Sequence, residues 1–588
     1  MSVDAPPRAP GTPAAPAGGP GTRPGYRRVR DGVSYGLIAV PFAILFTLLY
    51  AWPLANVVLR SLSETGSLDY GNLGFSLANY ASLFQDDFLL LIEWRTVLLA
   101  VGSTLLTVLV ALPVAYFLSR LPRRVAGVLL LLVLIPFWVS IVVRLFALTA
   151  LLSPNGVVNE TSQALGLGEL SLLHSFGGTL VGTTCYLLPY MILILYSGMS
   201  AVDGNLMLAA KTMGASHGHA LRRVYLPQIR PSLVSGTLLV FILGLSFFIV
   251  PAILGGPRQS TISTYIQQQI DIFQWGVASA MGVLLLAVTL VLYAGIVRIT
   301  GRMDPGAAMA TQAKGVSAAE PFRWSAGMIA AAAVTAVTLL VLMAPVLLVF
   351  PMSVGETSTV VFPPRGFTLD WYGKAFEGRT WTVPLLRSLV VGIGTALLSL
   401  VIALSLSRLT QRTRSAAGRA LIQALAFAPI ITPAILLAIG IYDVELRLGL
   451  AGTTVGLVLA HTVIAFPLSF AVVNTALSAA DRSLEQAAWT LGASRTRTYW
   501  TIVVRRALPA VVGAAAVAFV TSWDEVVLAL FLQTGPDKTL PVTIYQYLES
   551  GIVPTVPAVA SMLIVAVVVV VLITRVRRRR QAQGGGTS

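Results

Sequence analysis

Few residues of this chain can do chemistry, and those few are set into apolar sequence. Asp524 and Glu525 stand side by side in a run that otherwise reads as one membrane-crossing helix. A carboxylate near the bilayer centre costs about 2.5–3.5 kcal/mol on insertion scales, so such residues usually face a cavity or a partner. Neighbours on a helix point roughly 100° apart, so one wall does not present both acids fully. One acid therefore reads as attracting an ammonium group of a passing solute, while the other is paired or protonated; the alternative is a structural ion pair with Arg144 or Arg447. Trp523, Tyr545, Tyr547 and Glu549 lie on or beside this stretch. Aromatics near carboxylates suit cation–π capture of amines, although Trp and Tyr near span ends also anchor helices at the interface.

Other chemistries find no support. No Ser/His/Asp set or paired-carboxylate arrangement suggests catalysis, and G-x-x-x-x-G-K-[ST] does not occur, so ATP would have to be bound by another chain. His217 and His219 form an H-x-H pair, but without Cys or clustered carboxylates they read as solvated loop residues and no metal is expected. His174 and His461 fall near span ends and carry no constellation. The single cysteine, Cys185, reads as a small core residue.

The elements that must position the acids follow from composition. Of 588 residues, 56% are hydrophobic and 11% charged, which excludes an ordinary soluble protein. Twelve apolar runs are long enough to cross a roughly 30 Å hydrocarbon core: 35–58, 96–119, 127–151, 174–200, 232–254, 277–299, 326–350, 387–407, 418–441, 453–477, 509–533 and 555–574. With the N-terminus inside and the spans alternating, seven segments face the cytoplasm: 1–34, 118–127, 201–231, 298–323, 405–420, 478–506 and 575–588. They hold 30 of the 40 Lys and Arg but only 7 of the 24 acidic residues. That is the positive-inside signature, with both termini cytoplasmic. The net charge of +16 is thus no nucleic-acid signal. The basic rim suits anionic lipid headgroups, and the cluster Arg577–Arg580 anchors the last span. The more acidic outer side fits a cationic solute.

The chain is a tandem duplication. Ser119-Arg120-Leu121 closes the second span and Ser407-Arg408-Leu409 the eighth; Gly256-Pro257 and Gly535-Pro536 follow the fifth and eleventh. Six spans per half is an even number, so the halves insert in parallel. The chain divides into a disordered tail 1–34, a first domain 35–300, a polar linker 301–324, a second domain 325–575 and a basic tail 576–588. The sharpest repeat is cytoplasmic: LAAKTMGASHGHALRRVYLPQIRP at 208–231 and QAAWTLGASRTRTYWTIVVRRALP at 486–509, 278 residues apart. Ala209-Ala210 and Ala487-Ala488 put small side chains on one turn, and Gly214 and Gly492 permit a positive φ that ends the helix. Ala215-Ser216 and Ala493-Ser494 follow, each Ser an N-cap for a second short helix, and Pro231 and Pro509 punctuate the start of the next span. In the first half Ser246-Phe247-Phe248 matches the region of Trp523, Asp524 and Glu525 but lacks an acid, so the solute pathway is expected to be asymmetric.

At these residues the sequence resembles the permease subunits of ABC importers that use binding proteins, whose loop reads E-A-A-x3-G-x9-I-x-L-P. Ile135-Pro136-Phe137-Trp138, Arg144, Asn155-Gly156 and Val250-Pro251 resemble the first permease of the spermidine/putrescine branch, and Ser522-Trp523-Asp524-Glu525 and Leu540-Pro541-Val542-Thr543 its second. The resemblance covers roughly residues 35–575, as though both permeases were fused. It implies an all-α, type I ABC importer permease fold in a bacterial inner membrane. Each loop would be a coupling helix for one subunit of a separate ATPase dimer, and an extracytoplasmic binding protein would deliver the solute. Arg258, Asp271, Glu356, Asp370, Glu377 and Asp537 are outer-loop charges available to that protein. The family's Glu falls at Leu208 and Gln486, with Glu485 adjacent, and its Leu-Pro pair is Leu226-Pro227 in one copy but Val504-Arg505 in the other. Unequal coupling is the expectation. Related machines carry ferric iron, thiamine, opines or phosphonates. An ion-driven secondary carrier would instead need ionisable relays in several spans and would leave both loops without a purpose.

Overall fold

The computed structural model describes residues 39–300, 324–479 and 482–584, apart from 65, 67–73, 86, 358–361, 534, 536–537 and 551–552. The tail 1–34, residues 301–323 of the linker, Asp537 and the side chains of Arg577–Arg580 lie outside that description. Among the described residues the secondary structure is helical except for one isolated bridge between Ser63 and Phe75.

Nine described helices are long and apolar enough to cross a membrane, and two sharply bent pairs raise the number to eleven. The first half comprises Ala39–Ser61, Asp87–Arg120, Arg123–Leu134 with Ile141–Leu152, Phe176–Ser200, Leu226–Leu245 with Ile249–Leu254, and Trp275–Thr300. The second comprises Ala326–Met352, Thr382–Arg412, Ala416–Ile431 with Ala434–Arg447, Thr454–Ser478, Leu508–Trp523 with Val527–Leu532, and Thr555–Gly584. Large apolar side chains such as Leu105, Leu109, Leu340 and Leu397 point outward. In a bilayer that outward face costs nothing, so close packing rather than water exclusion joins the helices.

Four runs expected to be continuous are broken. The third segment is interrupted by a 3₁₀ turn at Ile135–Trp138, and the ninth bends by 97° around Thr432-Pro433. Proline explains the ninth, where Thr432 before Pro433 is extended (φ −79°, ψ 129°), whereas in the third Ile135 before Pro136 stays helical and the chain turns extended only at Val139 and Ser140. The fifth and eleventh segments stop at Leu245 and Trp523 without a proline. The next residues, Ser246 (φ −90°, ψ 1°) and Asp524 (φ −92°, ψ 0°), take nearly the same backbone conformation. Asp524 and Glu525 therefore occupy a break, not the helix interior the hydropathy suggests. Pro231 also differs from expectation: it lies inside Leu226–Leu245, and Pro227 stands where the π segment Leu221–Tyr225 runs on into that helix.

The repeat is written into the contacts. Ser61 Oγ and Tyr80 Oη are 2.8 Å apart, and Ser353 Oγ and Tyr372 Oη 2.7 Å. Ser175 caps Gly178 N–H and Thr453 caps Gly456 N–H. Each half also lends its opening helix to the other. Ala39–Ser61 packs on Ala434–Arg447, and Ala326–Met352 packs on Asp87–Arg120 and Ile141–Leu152. A Cβ on Gly440 would lie 2.6 Å from the Pro53 carbonyl oxygen, so only glycine lets these two backbones meet. Asp443 rivets the same crossing, accepting from Arg60 at 2.7 Å, Asn56 at 3.0 Å and Arg447 at 3.2 Å. Arg447 is thus committed to Asp443.

A Cβ on Gly178 would stand 2.1 Å from Leu172 O, and one on Gly456 2.5 Å from Leu450 O, whereas Gly513 has nothing within 4 Å. Gly178→Ala or Gly456→Ala should each lower stability by about 1–3 kcal/mol, as overpacking does. Gly513→Ala should not. Thermal unfolding of the detergent-solubilised protein measures the difference, and equal midpoints for all three would contradict the packing described.

Candidate functional site

Two regions gather the residues with functional potential. The first is the pair of loops. Helix Gly204–Thr212 ends at Gly214 (φ +85°) and helix Arg482–Thr490 at Gly492 (φ +83°). Ala215 N–H reaches back to Ala210 O at 3.0 Å, and Ala493 N–H to Ala488 O at 2.9 Å, the six-to-one bond of a Schellman cap. Ser216 then accepts from His219 N–H and Ser494 from Arg497 N–H, the two expected N-caps. Within each Ala pair, Ala210 and Ala488 turn inward while Ala209 and Ala487 stay exposed. Met213 is 82% and Leu491 88% exposed at equivalent positions, with Leu208, Trp489 and Trp500 also exposed. Exposed apolar groups matched on two otherwise polar loops mark an interaction surface. Behind each loop the chain enters a π-helical segment, Leu221–Tyr225 or Tyr499–Val504, before its span.

The second region is the set of breaks. Arg123–Leu134 has 12 residues and Leu508–Trp523 has 16, so the interruptions fall roughly 18–24 Å along their segments at 1.5 Å per residue. Both fall inside runs apolar enough to cross a membrane, where a helix end without partners is costly. Asp524 Oδ1 accepts from the Ile141 N–H at 2.6 Å, capping the helix of the opposite half, and Arg144 Nη2 lies 3.6 Å from Asp524 Oδ2. The Arg144 guanidinium sits 5.4 Å over the Tyr186 ring. Tyr186 packs 4.6 Å from Phe247, and Tyr190 packs 4.6 Å from Phe137. Arg144 also lines a cleft with Pro136, Tyr186, Leu342 and Pro345.

Glu525 turns the other way. Its carboxylate accepts from Val527 N–H and Ala529 N–H, capping Val527–Leu532 of its own half. His461 Nε2 is 3.9 Å from Glu525 Oε2, and His461 Nδ1 is 2.8 Å from Ser522 Oγ. His461 is therefore no span-end residue but a wholly buried member of a polar string, two turns inside Thr454–Ser478. Of the four residues read as a solute pathway, Asp524 and Phe247 meet through Arg144 and Tyr186, while Trp523 stacks on Phe519 and Glu525 faces His461. Tyr545 donates to Glu549, and Tyr547 stacks on Trp381. Sequence reasoning missed Asp443, which falls two residues beyond the apolar run 418–441 and so escaped the rule that singled out Asp524.

Residues 107–305 and 399–582 match the family described as binding-protein-dependent transport system inner membrane component. The chain belongs to that family, and does so twice over. The spermidine/putrescine transport system permease protein PotB of Salmonella typhimurium (strain SL1344) is 29% identical over 252 residues, covering 42% of this chain and 86% of that protein. PotB of Escherichia coli (strain K12) is 28% identical over 252 residues, covering 42% and 90%. A putative ABC transporter permease protein, ORF1 of Streptomyces antibioticus, is 33% identical over 206 residues, covering 34% and 88%. The crystal structure of a bacterial ABC transporter involved in alginate import aligns at a TM-score of 0.40 with 19% identity, covering 47% of this chain and 97% of that one. A nearly whole permease relative thus occupies less than half of this chain, and the duplication is a fusion of two permeases. The protein is a multi-pass inner-membrane transport component of an ABC importer, not an enzyme, and works with an ABC ATPase and a substrate-binding protein.

Breaking a buried ion pair by removing one partner typically costs about 3–5 kcal/mol. Asp524→Ala should therefore destabilise the protein markedly more than Ser246→Ala, its counterpart in the first half. A double-mutant cycle of Arg144→Gln and Asp524→Asn should give a coupling of about 0.5–3 kcal/mol. Strict additivity in chemical denaturation would mean the two residues do not interact.

Proposed function

We propose that this chain forms the whole translocation path of an ATP-driven importer for a small amine-bearing solute of the polyamine type. Its two halves, 35–300 and 325–575, alternate access between the two sides. The loops face the cytoplasm together with both termini, since their end of the molecule carries most of the basic residues. There, Ala209, Ala210, Gly214, Ala215, Ser216 and Pro227 in one copy, and Glu485, Ala487, Ala488, Gly492, Ala493 and Ser494 in the other, receive an ATPase dimer. The matched exposure of Met213 and Leu491 supports this docking. ATP stays on the ATPase, and the chain itself needs no cofactor or metal.

One observation carries the solute reading. Asp524 sits at the junction of the halves, beside the aromatic wall of Tyr186 and Phe247, where a carboxylate and π faces together favour an ammonium group. The spermidine/putrescine permeases among the relatives agree with it. Arg144 favours a second reading. Its Nε and Nη2 are buried and make no hydrogen bond among the described residues, so an opine or a phosphonate, with an acidic group beside its amine, would satisfy both charges of the pair.

Asp524→Asn should reduce spermidine uptake at least tenfold in a correctly folded variant, and unchanged uptake would make Asp524 a structural tie only. Excess aminoethylphosphonate competing better than putrescine would favour the second reading. Gly214→Asp combined with Gly492→Asp should abolish uptake and ATPase co-purification while leaving membrane insertion intact. Uptake should stop with vanadate and persist with an uncoupler; the opposite pattern would contradict ATP drive.

A further inference from the structure

The cytosolic ends of the second and eighth segments carry the repeated Ser-Arg-Leu that marks the duplication, and neither arginine has a part in docking or in the solute path. In both halves that arginine lies over a tyrosine of the π-helical segment behind the loop. Arg120 is 5.4 Å from the Tyr225 ring centroid and also 5.1 Å from Tyr116, one turn back on its own helix. Tyr116 and Tyr225 meet edge to face at 5.8 Å. In the second half Arg408 is 4.2 Å from the Tyr499 ring centroid, and the Tyr499 hydroxyl donates to Leu404 O at 3.1 Å. Leu404 occupies the position that Tyr116 holds in the first half. Both tyrosines are buried.

The two clamps are not copies of one residue pair. At the loop offset of 278, Tyr225 corresponds to Val503 and Tyr499 to Leu221, so the rings come from opposite ends of their π segments. The contact is kept while the residue that makes it has moved by one turn. Packing alone does not require that, because any large apolar side chain fills the same space. A ring face held under a guanidinium ties two helices at a fixed angle. Single-turn π segments recur at functional sites.

We propose that Arg120 and Arg408 are positioning residues that transmit displacement of each loop into the second and eighth segments. The proposal rests on the reading that the loops dock the ATPase. The loop, its π segment and the arginine-bearing helix end then move as one lever, and the far ends of the segments respond. Without the clamp the π segment absorbs the push.

The test uses the full chain in nanodiscs with its ATPase, in a Cys185→Ala background carrying spin labels at Leu77→Cys and Leu369→Cys. These exposed residues lie at the end opposite the loops. ATP with vanadate should change the label distance in the parent. In the Arg120→Gln/Arg408→Gln variant that change should shrink at least threefold, while ATPase co-purification and ATP hydrolysis persist. Tyr499→Phe, which keeps the ring but loses the hydroxyl bond, should retain the parental change, and Arg→Lys at both sites should restore part of it. An undiminished change in the double Gln variant overturns the proposal. So does loss of ATPase binding together with the change, because the arginines would then merely hold the loop fold. Failure of the parent to bind the ATPase at all overturns the docking reading, and this inference with it.

Discussion

A helix interrupted inside hydrocarbon exposes amides and carbonyls that water cannot reach, at several kcal/mol for each group left bare. This constraint organises the molecule. The chain breaks four of its segments at depth, and partners are supplied at the breaks. Asp524 covers the Ile141 amide, Glu525 covers those of Val527 and Ala529, and the Thr432 hydroxyl covers the Ala428 carbonyl and also meets the Tyr50 hydroxyl of the first half at 2.8 Å. The Asp524 repair and the Tyr50–Thr432 contact cross between the halves. The breaks therefore join the repeats as well as interrupt them, and a movement of one half relative to the other must exchange those contacts.

The backbone of the two halves is alike at these points, but the chemistry is not. Ser246 and Asp524 share a conformation, yet only Asp524 reaches across. Arg144 is the fourth residue of its helix, and the fourth residue of Ala434–Arg447 is Leu437, buried and apolar. The crossing at Asp443 is equally one-sided. In both places the second half gives the carboxylate and the first half the arginine. Duplication supplied two equivalent frames, and among the described residues the ionic ties between them were built once.

How much of this was legible in the sequence depends on the range of the interaction. Hydropathy revealed the helices, because twenty apolar residues in a row have few other fates in water or lipid. The loop geometry was legible because Gly214, Gly492, Ser216 and Ser494 act through bonds five residues long or less. The breaks at Ser246 and Asp524 were not, since nothing local in Leu-Ser-Phe or Trp-Asp-Glu forbids a helix and the repair comes from another element. For the same reason Arg144 stood among the alternatives without being chosen, and the burial of His461 beside Ser522 was missed. Arg447 stood beside Arg144 as an alternative partner for the acids of the eleventh run because Asp443, four residues away on its own helix, had not been considered.

In the proposed mechanism two matched loops on one face take up force, and the cross-half contacts at the breaks yield to it. The most direct measurement places a single cysteine at Met213 or Leu491 in a Cys185→Ala chain and follows labelling by a membrane-impermeant maleimide in vesicles of known sidedness. Both sites should label only from the cytoplasmic side, and bound ATPase should block both. Labelling from the outer side, or labelling undiminished when the ATPase is bound, would contradict it.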